Sequence, residues 1–326
     1  MERYQHVFDR FIQFETQYDG YLLARRDKRY KPEVLAYSAH LEDNLIDNIN
    51  QLVWKEYAIT GVHEFYEYFP KKRIITAWPF RNRVVNCAAY RVLWSIYRKR
   101  MYEHSYGSIP GMGQVKACNQ LQMWMKKSRI TCKNQWMAKA DVAKFFFRIP
   151  HEIQLRELGK PLDDPEMMWF LQTCINGDGR PTGLPLDCGD PTEAERIFGI
   201  GMPVGSLISQ MTANVVLTPL DHYMKRVCRV PEFIRYMDDM VMKGESKQQM
   251  WDFIGMMDDY LQQELGLQLN NKTAVMRYDE GIEFVGRIVR PDRIDLRKSS
   301  SLQMKRHLDF VREAYGRGEG SMEYAL

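Results

Sequence analysis

The sequence predicts an α+β protein built round an antiparallel sheet, and three observations carry that prediction. Apolar residues recur at helical spacing in LEDNLIDNINQLVW and QMWDFIGMMDDYLQQELG. HEFYEYFPKKRIITAWPF alternates apolar and polar positions and is rich in aromatic and β-branched residues, like a hairpin of strands. FIRYMDDMVMKG has the form strand, turn, strand, which makes a second antiparallel pair.

In chain order, residues 1–60 read as helices, with Leu41, Leu45, Ile46, Ile49, Leu52 and Val53 on one stripe of period near 3.6. The aromatic hairpin follows, then a helix over Asn82–Met101 and the Gly/Pro loop SYGSIPGMG. A helix over Gln114–Lys127 leads to a strand at Gln135–Asp141 and the apolar turn VAKFFFRI. Residues 175–200 form a Gly- and Pro-rich loop. GMPVGSLISQMTANVVLTPLDHYMKR then starts as a turn and continues as a long buried helix. After the FIRYMDDMVMKG pair comes an amphipathic helix with Trp251, Ile254, Met257 and Leu261 inward and a Gly stop. LQLNNKTAVM and IEFVGRIVR read as strands, and the chain closes in a basic helix.

Composition narrows the classes. A length of 326 residues fits about two domains, or one strongly subdivided domain. A chain that long buries about three quarters of its unfolded surface and needs no disulfide or metal staple. With 45% apolar and 27% charged residues, disorder is excluded. The longest apolar run is Met167–Leu171, far below a membrane span. MERYQHVFDR carries charge where a secretory signal needs an apolar stretch. A soluble, cytoplasmic protein without a membrane partner is expected.

The 46 basic and 42 acidic residues leave a net charge of +4, which permits a nucleic-acid partner without demanding one. Basic clusters at Arg25–Lys31, Lys71–Arg73, Arg81–Arg83, Arg98–Arg100, Lys126–Lys133 and Arg297–Arg306 stand among aromatics. They fit a backbone-tracking groove with stacking platforms, and equally a set of solvated helix faces. The six cysteines form no CxxC pair, so zinc is not expected and the thiols read as reduced, mostly buried apolar groups.

Two Asp-Asp pairs serve as mutual controls. Asp258–Asp259 sits within the amphipathic helix, opposite Trp251, Ile254 and Leu261, and needs no role beyond solvation. Asp238–Asp239 lies at the turn between two buried strands, where adjacent carboxylates repel unless a cation relieves them. A hard divalent ion taking carboxylate and phosphate oxygens would do so. Asp141 ends another strand, and side-by-side strands bring three carboxylates to one sheet edge, as a two-metal site requires. Three unrelated surface aspartates fit the spacing as well.

With these residues assembled, the chain resembles a reverse transcriptase. Tyr236–Asp239 (YMDD) is similar to the catalytic turn of that family, and KADVAKFFFRI to the strand and helix bearing its first aspartate. KKRIITAWPFRNRVVNCAAYRVL (71–93) resembles the fingers strands and SYGSIPGMG (105–113) the template-side loop. LGLQLNNKT (265–273) resembles the palm segment with its lysine, and FVGRI (284–288) the primer grip. All six stand in family order. GMPVGSLISQ has Val204-Gly205 and Ser209-Gln210 where most members have Gln-Gly and Ser-Pro. This feature and the basic N-terminal ARRDKRYKPEVLAYSAHLEDNL are most like the enzymes of diversity-generating retroelements. Arg148-Ile149-Pro150 departs from the family's small residue and acid, and the chain ends soon after LRKSSSLQMKRHL, where relatives continue into more thumb.

The resemblance implies a right-hand polymerase. N-terminal helices and fingers would occupy 1–133, palm 134–151 and 201–290, a connection 152–200, and a short or truncated helical thumb 291–326. It implies RNA-directed DNA synthesis with template RNA, a cDNA/RNA duplex and dNTPs as partners. A small basic accessory oligomer and two Mg²⁺ ions, with Mn²⁺ as a substitute, would complete the system. Asp141, Asp238 and Asp239 would hold the ions, with Val142 beside them. Lys72, Arg73 and Arg83 would bind triphosphate, a task suited to the arginine fork. Phe146 would be a steric gate against ribose, or else core; Lys272 would protonate pyrophosphate, or else be an exposed strand lysine. Phe284, Val285 and Gly286 would hold the primer end, with Gly286 allowing close backbone approach. Pro110 and Gly111 would shape the template loop, which a plain turn explains as well. Val204, Gly205 and Gln210 would face the nucleotide, and Val204 in place of glutamine implies errors, mainly at template adenines. Its alternative is packing at the start of the long helix. A retron or phage-defence polymerase, and a non-catalytic RNA-binding scaffold, are the competing readings.

Overall fold

The computed structural model describes residues 3–68, 73–131, 135–188 and 194–318. Four helices open the chain: α1 (Val7–Phe11), α2 (Phe14–Ala24), α3 (Pro32–Ala39) and α4 (Leu41–Val53). In α4 the inward stripe is Leu45, Asn48 and Leu52, while Ile46 and Val53 face solvent. The stripe drawn from apolar residues alone was therefore too wide. Asn48 is buried because its amide donates to the Tyr37 hydroxyl at 2.9 Å and its carbonyl accepts from Arg81 Nε at 2.7 Å.

Strands β1 (His63–Glu67) and β2 (Arg73–Ala77) form the aromatic hairpin, whose β1 is exposed throughout. Helix α5 (Phe80–Tyr97) follows, ending in a 3₁₀ turn at Arg98–Arg100, and packs against α2. Gly20 permits that packing, since a Cβ there would lie 2.7 Å from the Val84 carbonyl oxygen. After the 105–113 loop come α6 (Gln114–Thr131) and β3 (Trp136–Asp141). The apolar turn beyond β3 is a short helix, α7 (Phe145–Arg148), and two further helices precede the loop, α8 (His151–Gly159) and α9 (Pro165–Asn176).

Helix α10 (Leu207–His222) is buried along most of its length and widens into a π-helical turn at Tyr223–Val227. Its start is set by Ser206, whose hydroxyl accepts from the Ser209 N–H at 3.0 Å. Then come β4 (Glu232–Tyr236), β5 (Asp239–Gly244) and α11 (Lys247–Leu265), stopped by Gly266 at φ 62. Trp251 on α11 is half exposed, not inward. Asp258 does more than meet solvent: its carboxylate accepts from the Leu269 N–H at 2.9 Å and so fixes the chain after the helix.

The central sheet runs β4-β5-β3-β6 with β6 at Ala274–Arg277, and the pairs β4/β5, β5/β3 and β3/β6 are antiparallel. Met240, Met242, Ala138 and Ala140 pack with α10 and α11, while Val241, Ile234 and Met137 pack with α6. IEFVGRIVR is not one strand: β7 (Ile282–Phe284) and β8 (Arg287–Val289) form a hairpin turning at Val285-Gly286, with β9 (Ile294–Leu296) beside β8. Helix α12 (Lys298–Gly316) ends the described chain with no buried residue. No described helix is long and apolar enough to cross a membrane.

Candidate active site

Sheet register brings the predicted carboxylates together. Asp141, the last residue of β3, stands opposite Asp239, the first of β5. Tyr236 pairs with Asp239 in the β4/β5 hairpin, so Met237-Asp238 is a two-residue turn, with Met237 in the left-handed region at φ 55. The Asp238 and Asp141 side chains share a hydrogen bond. Burial, and then the charge of Asp141, push the Asp238 carboxyl up to about 7. Burial also lifts Asp239 to about 6, against the pull of Lys139 and the Val285 N–H.

Two neighbours that the sequence reading missed complete this cluster. Lys139 lies two residues before Asp141, on the same strand face, and its Nζ is 3.6 Å from Asp239 Oδ1. Asn270 donates from its backbone N–H to the Asp141 carbonyl at 2.6 Å and from its amide to Asp141 Oδ2 at 3.4 Å. Strand periodicity could have found Lys139. Nothing in the sequence pairs Asn270 with a residue so distant along the chain.

The turn is braced from behind by a buried network. Arg235 is fully buried on β4 and donates to both carboxylate oxygens of Asp221 at 2.7 Å. One guanidinium nitrogen also reaches Asn214 Oδ1 and the Met237 carbonyl, each at 3.0 Å. Ser105 Oγ donates to Asp221 at 3.1 Å, and the Asn214 amide to the Gly107 carbonyl at 2.9 Å. A buried charge is tolerable only when paired and hydrogen-bonded this fully. Gly107 must lack a side chain, since a Cβ there would lie 2.5 Å from the Met237 nitrogen.

Could the carboxylates hold a divalent ion? Asp239 Oδ1 is buried and, apart from the Lys139 ammonium at 3.6 Å, has no hydrogen-bond partner, which leaves it able to take a cation. Among the described residues no three His, Cys, Asp or Glu side chains converge tightly enough to hold an ion alone. Lys139 Nζ stands 3.6 Å from Asp239 Oδ1 and competes with an ion for that oxygen. The donor set is all oxygen and incomplete, which suits Mg²⁺ completed by substrate phosphates and water. Val142 is buried and has a hydrocarbon side chain, so it could offer an ion nothing but its backbone carbonyl.

The remaining predicted residues fall into two groups. Val285 brings its N–H to 3.4 Å from Asp239 Oδ2, next to the carboxylates. Val285 and Gly286 have φ 44 and 77, the signature of a type I′ turn, and Phe284 behind them is fully buried. Gly286 suits this backbone conformation, and a Cβ there would meet no protein atom within 4 Å. Phe146 is half-buried on α7, edge-on to Phe145 at 5.5 Å, and its carbonyl accepts from the Met202 N–H at 2.8 Å. Phe145 is core, whereas Phe147 lies under the Arg196 guanidinium at 6.0 Å.

Val204 accepts from the Thr76 N–H of β2 at 2.9 Å, and a Cβ on Gly205 would come within 2.8 Å of the Thr76 oxygen. Gln210 is half-buried in the first turn of α10. Arg83 forms an ion pair with Glu33 of α3 and lies over the Phe80 ring at 5.3 Å. It shares a cavity of about 680 Å³ with Arg26, Lys28, Lys31 and Gly205. Lys272 is exposed and touches the site only through its N–H, which donates to Asn270 Oδ1 at 3.1 Å. Pro110 is exposed and Gly111 takes φ 76, its carbonyl accepting from Lys116 Nζ at 2.5 Å. Lys72 lies outside the described residues, and Arg73 is described in its backbone alone.

A four-stranded antiparallel palm with helices behind it and acidic residues at its turn defines a right-hand polymerase. The family model described as reverse transcriptase (RNA-dependent DNA polymerase) matches residues 69–289, more than half of the chain, and the chain belongs to that family. Protein YkfC of Escherichia coli is 22% identical over 144 residues, 44% of this chain and 35% of the relative. The putative COX1/OXI3 intron 1 protein of Saccharomyces cerevisiae is 25% identical over 145 residues, 44% of this chain and 16% of the relative. The chain thus matches well under half the length of these relatives. Among solved structures, apo telomerase from Candida tropicalis superposes with a TM-score of 0.53 at 10% identity, over 73% of this chain and 48% of that one. Telomerase from Candida albicans with a fragment of telomeric RNA gives 0.50 at 12% identity, over 73% and 45%. These likenesses establish the right-hand fold.

Proposed function

We propose that this chain is an RNA-directed DNA polymerase that copies template RNA into cDNA within a diversity-generating retroelement. The observation that carries the polymerase reading is the register of β3 against β5. It sets Asp141 opposite Asp239, with Asp238 on the turn in hydrogen-bond contact with Asp141. When bound at Asp141, Asp238 and Asp239, two Mg²⁺ ions would activate the primer 3′-hydroxyl and offset the charge of the triphosphate. The protein's own part is positioning. Lys139 and the Val285 N–H hold Asp239, Asn270 holds Asp141, and the Arg235–Asp221 pair holds the turn. Primer extension with Mg²⁺ on a generic RNA template tests the reading. A DNA product is expected, and no product with either Mg²⁺ or Mn²⁺ overturns it.

Phe146 stands five residues after Asp141 with its ring only half-buried, which supports a gate at the nucleotide sugar. Phe146→Ala is expected to admit ribonucleotides. The measurement is the ratio of rNTP to dNTP incorporation, and an unchanged ratio in a folded variant returns Phe146 to the core.

The retroelement assignment is supported by Val204-Gly205 and the basic N-terminal segment. Valine lacks the polar group with which glutamine would brace the nucleotide, and a contact of that kind is worth roughly 0.5–1.5 kcal/mol. Since about 1.4 kcal/mol is tenfold in discrimination, its loss relaxes base selection severalfold. Val204→Gln is expected to lower the error rate, chiefly at template adenines, in sequenced cDNA. Matching error spectra for the two proteins would remove Val204 from fidelity control.

A further inference from the structure

A cavity of about 690 Å³ opens where the end of α5, α8, α10 and the first residues of the chain meet. None of Asp141, Asp238, Asp239, Phe146 or Val285 lines it. Its walls include buried Ile96, Met101 and Val215, and its cations are Lys99, Arg100, Lys160 and Arg226. Lys160 is neutralised by Glu157. Among the described residues the other three have no carboxylate partner. Lys99 donates to the Tyr4 hydroxyl at 3.2 Å and lies over that ring at 5.5 Å. Arg100 and Arg226 have no side-chain hydrogen bond or ion pair among the described residues.

The fold works to bring these charges together. Arg100 ends the 3₁₀ turn after α5, and Arg226 sits on the π-helical turn after α10. His222 ties the two turns through a 2.9 Å hydrogen bond between its Nε2 and the Arg100 carbonyl. Like charges gathered on one concave, partly apolar wall repel one another and focus a positive field outward. An anionic ligand relieves that cost. Two guanidinium forks match phosphate oxygens in bidentate geometry. A protein partner would need apolar anchors as well, yet none of the exposed large apolar side chains lines this cavity.

We propose that this cavity is a second RNA-backbone site, holding phosphates of an RNA segment outside the template–primer duplex. The identity of the ligand as RNA rests on the polymerase reading above; the anion site itself does not. The test uses the full chain saturated with an RNA–DNA template–primer duplex. A fluorescein-labelled single-stranded RNA of 20 nucleotides is then added, and its anisotropy is read across a salt series.

Arg100→Glu/Arg226→Glu is expected to weaken this second binding at least tenfold. Loss of two phosphate contacts should flatten the salt slope by about 1.4, at about 0.7 per phosphate for single strands. Arg100→Gln/Arg226→Gln, which removes charge without reversing it, should move both readouts in the same direction. Primer extension on the short duplex should stay at the wild-type level in both variants. Unchanged RNA affinity and salt slope in the folded neutral variant would overturn the proposal. So would poly-glutamate displacing the RNA at equal charge concentration, which would assign the cavity to an acidic protein. A chain that binds the second RNA but extends no primer leaves this site standing and removes only the polymerase reading.

Discussion

Asp238→Ala is expected to abolish cDNA synthesis in primer extension while the protein stays folded and keeps its RNA affinity. The residue sits on a two-residue turn and shares a hydrogen bond with Asp141, so its loss removes one member of the acidic cluster and no core packing. The stability readout has a definite sign. Folding raises the Asp238 carboxyl from the ordinary range to about 7. Between those values the folded protein holds a proton that the unfolded chain releases. The stabilising contribution is therefore complete below the unfolded value and is lost as pH rises through about 7. In EDTA, Asp238→Asn should melt above wild type at pH 8, with the gap narrowing as the pH falls to 5. Adding Mg²⁺ should raise the wild-type melting temperature more than the variant's. Substantial extension by the alanine variant at equal enzyme concentration would dismiss this site. An Asn variant less stable than wild type at pH 8 would contradict the electrostatic account.

The second large effect is on stability. Asp221→Ala leaves the Arg235 guanidinium fully buried without its carboxylate, which costs about 3–5 kcal/mol. Arg235 also holds the Met237 carbonyl, so the Met237-Asp238 turn should loosen with it. Urea unfolding measures the loss. Pairing Asp221→Leu with Arg235→Met should recover much of the stability, because two matched apolar side chains need no partner. It should recover little polymerisation, since Met237 stays unbraced. A midpoint unchanged in Asp221→Ala would show that the pair is not structural.

Much of the architecture was legible because it is periodic. The strand, turn, strand form of FIRYMDDMVMKG and the Gly stop after α11 agree with β4, β5 and the end of the helix. Legibility failed where a partner lies far along the chain. Arg235 interrupts an apolar strand and Asp221 an apolar helix, and each is anomalous alone; only the fold shows that they neutralise one another. The α4 stripe was misjudged for the same reason. Asn48 is buried through Tyr37 and Arg81, which local hydrophobicity does not record. IEFVGRIVR reads as one strand along the sequence, yet the Val285 backbone is left-handed and the segment folds back on itself. Of the candidate site residues, Asp141, Asp238, Asp239 and Val285 stand at one end of the central sheet, whereas Lys272 is exposed and Arg83 is engaged by Glu33.

The contact between β2 and the segment before α10 has a mechanical meaning. Thr76 donates to Val204, and the space where a Gly205 side chain would stand is taken by the Thr76 carbonyl. The hairpin is thus riveted to the palm at its root, beside the residue proposed to set fidelity. A swing of β1 and β2 would be felt at the Val204 backbone through its hydrogen bond to Thr76. Tightening or slackening that rivet would change how firmly a base is judged without altering a single group that touches it.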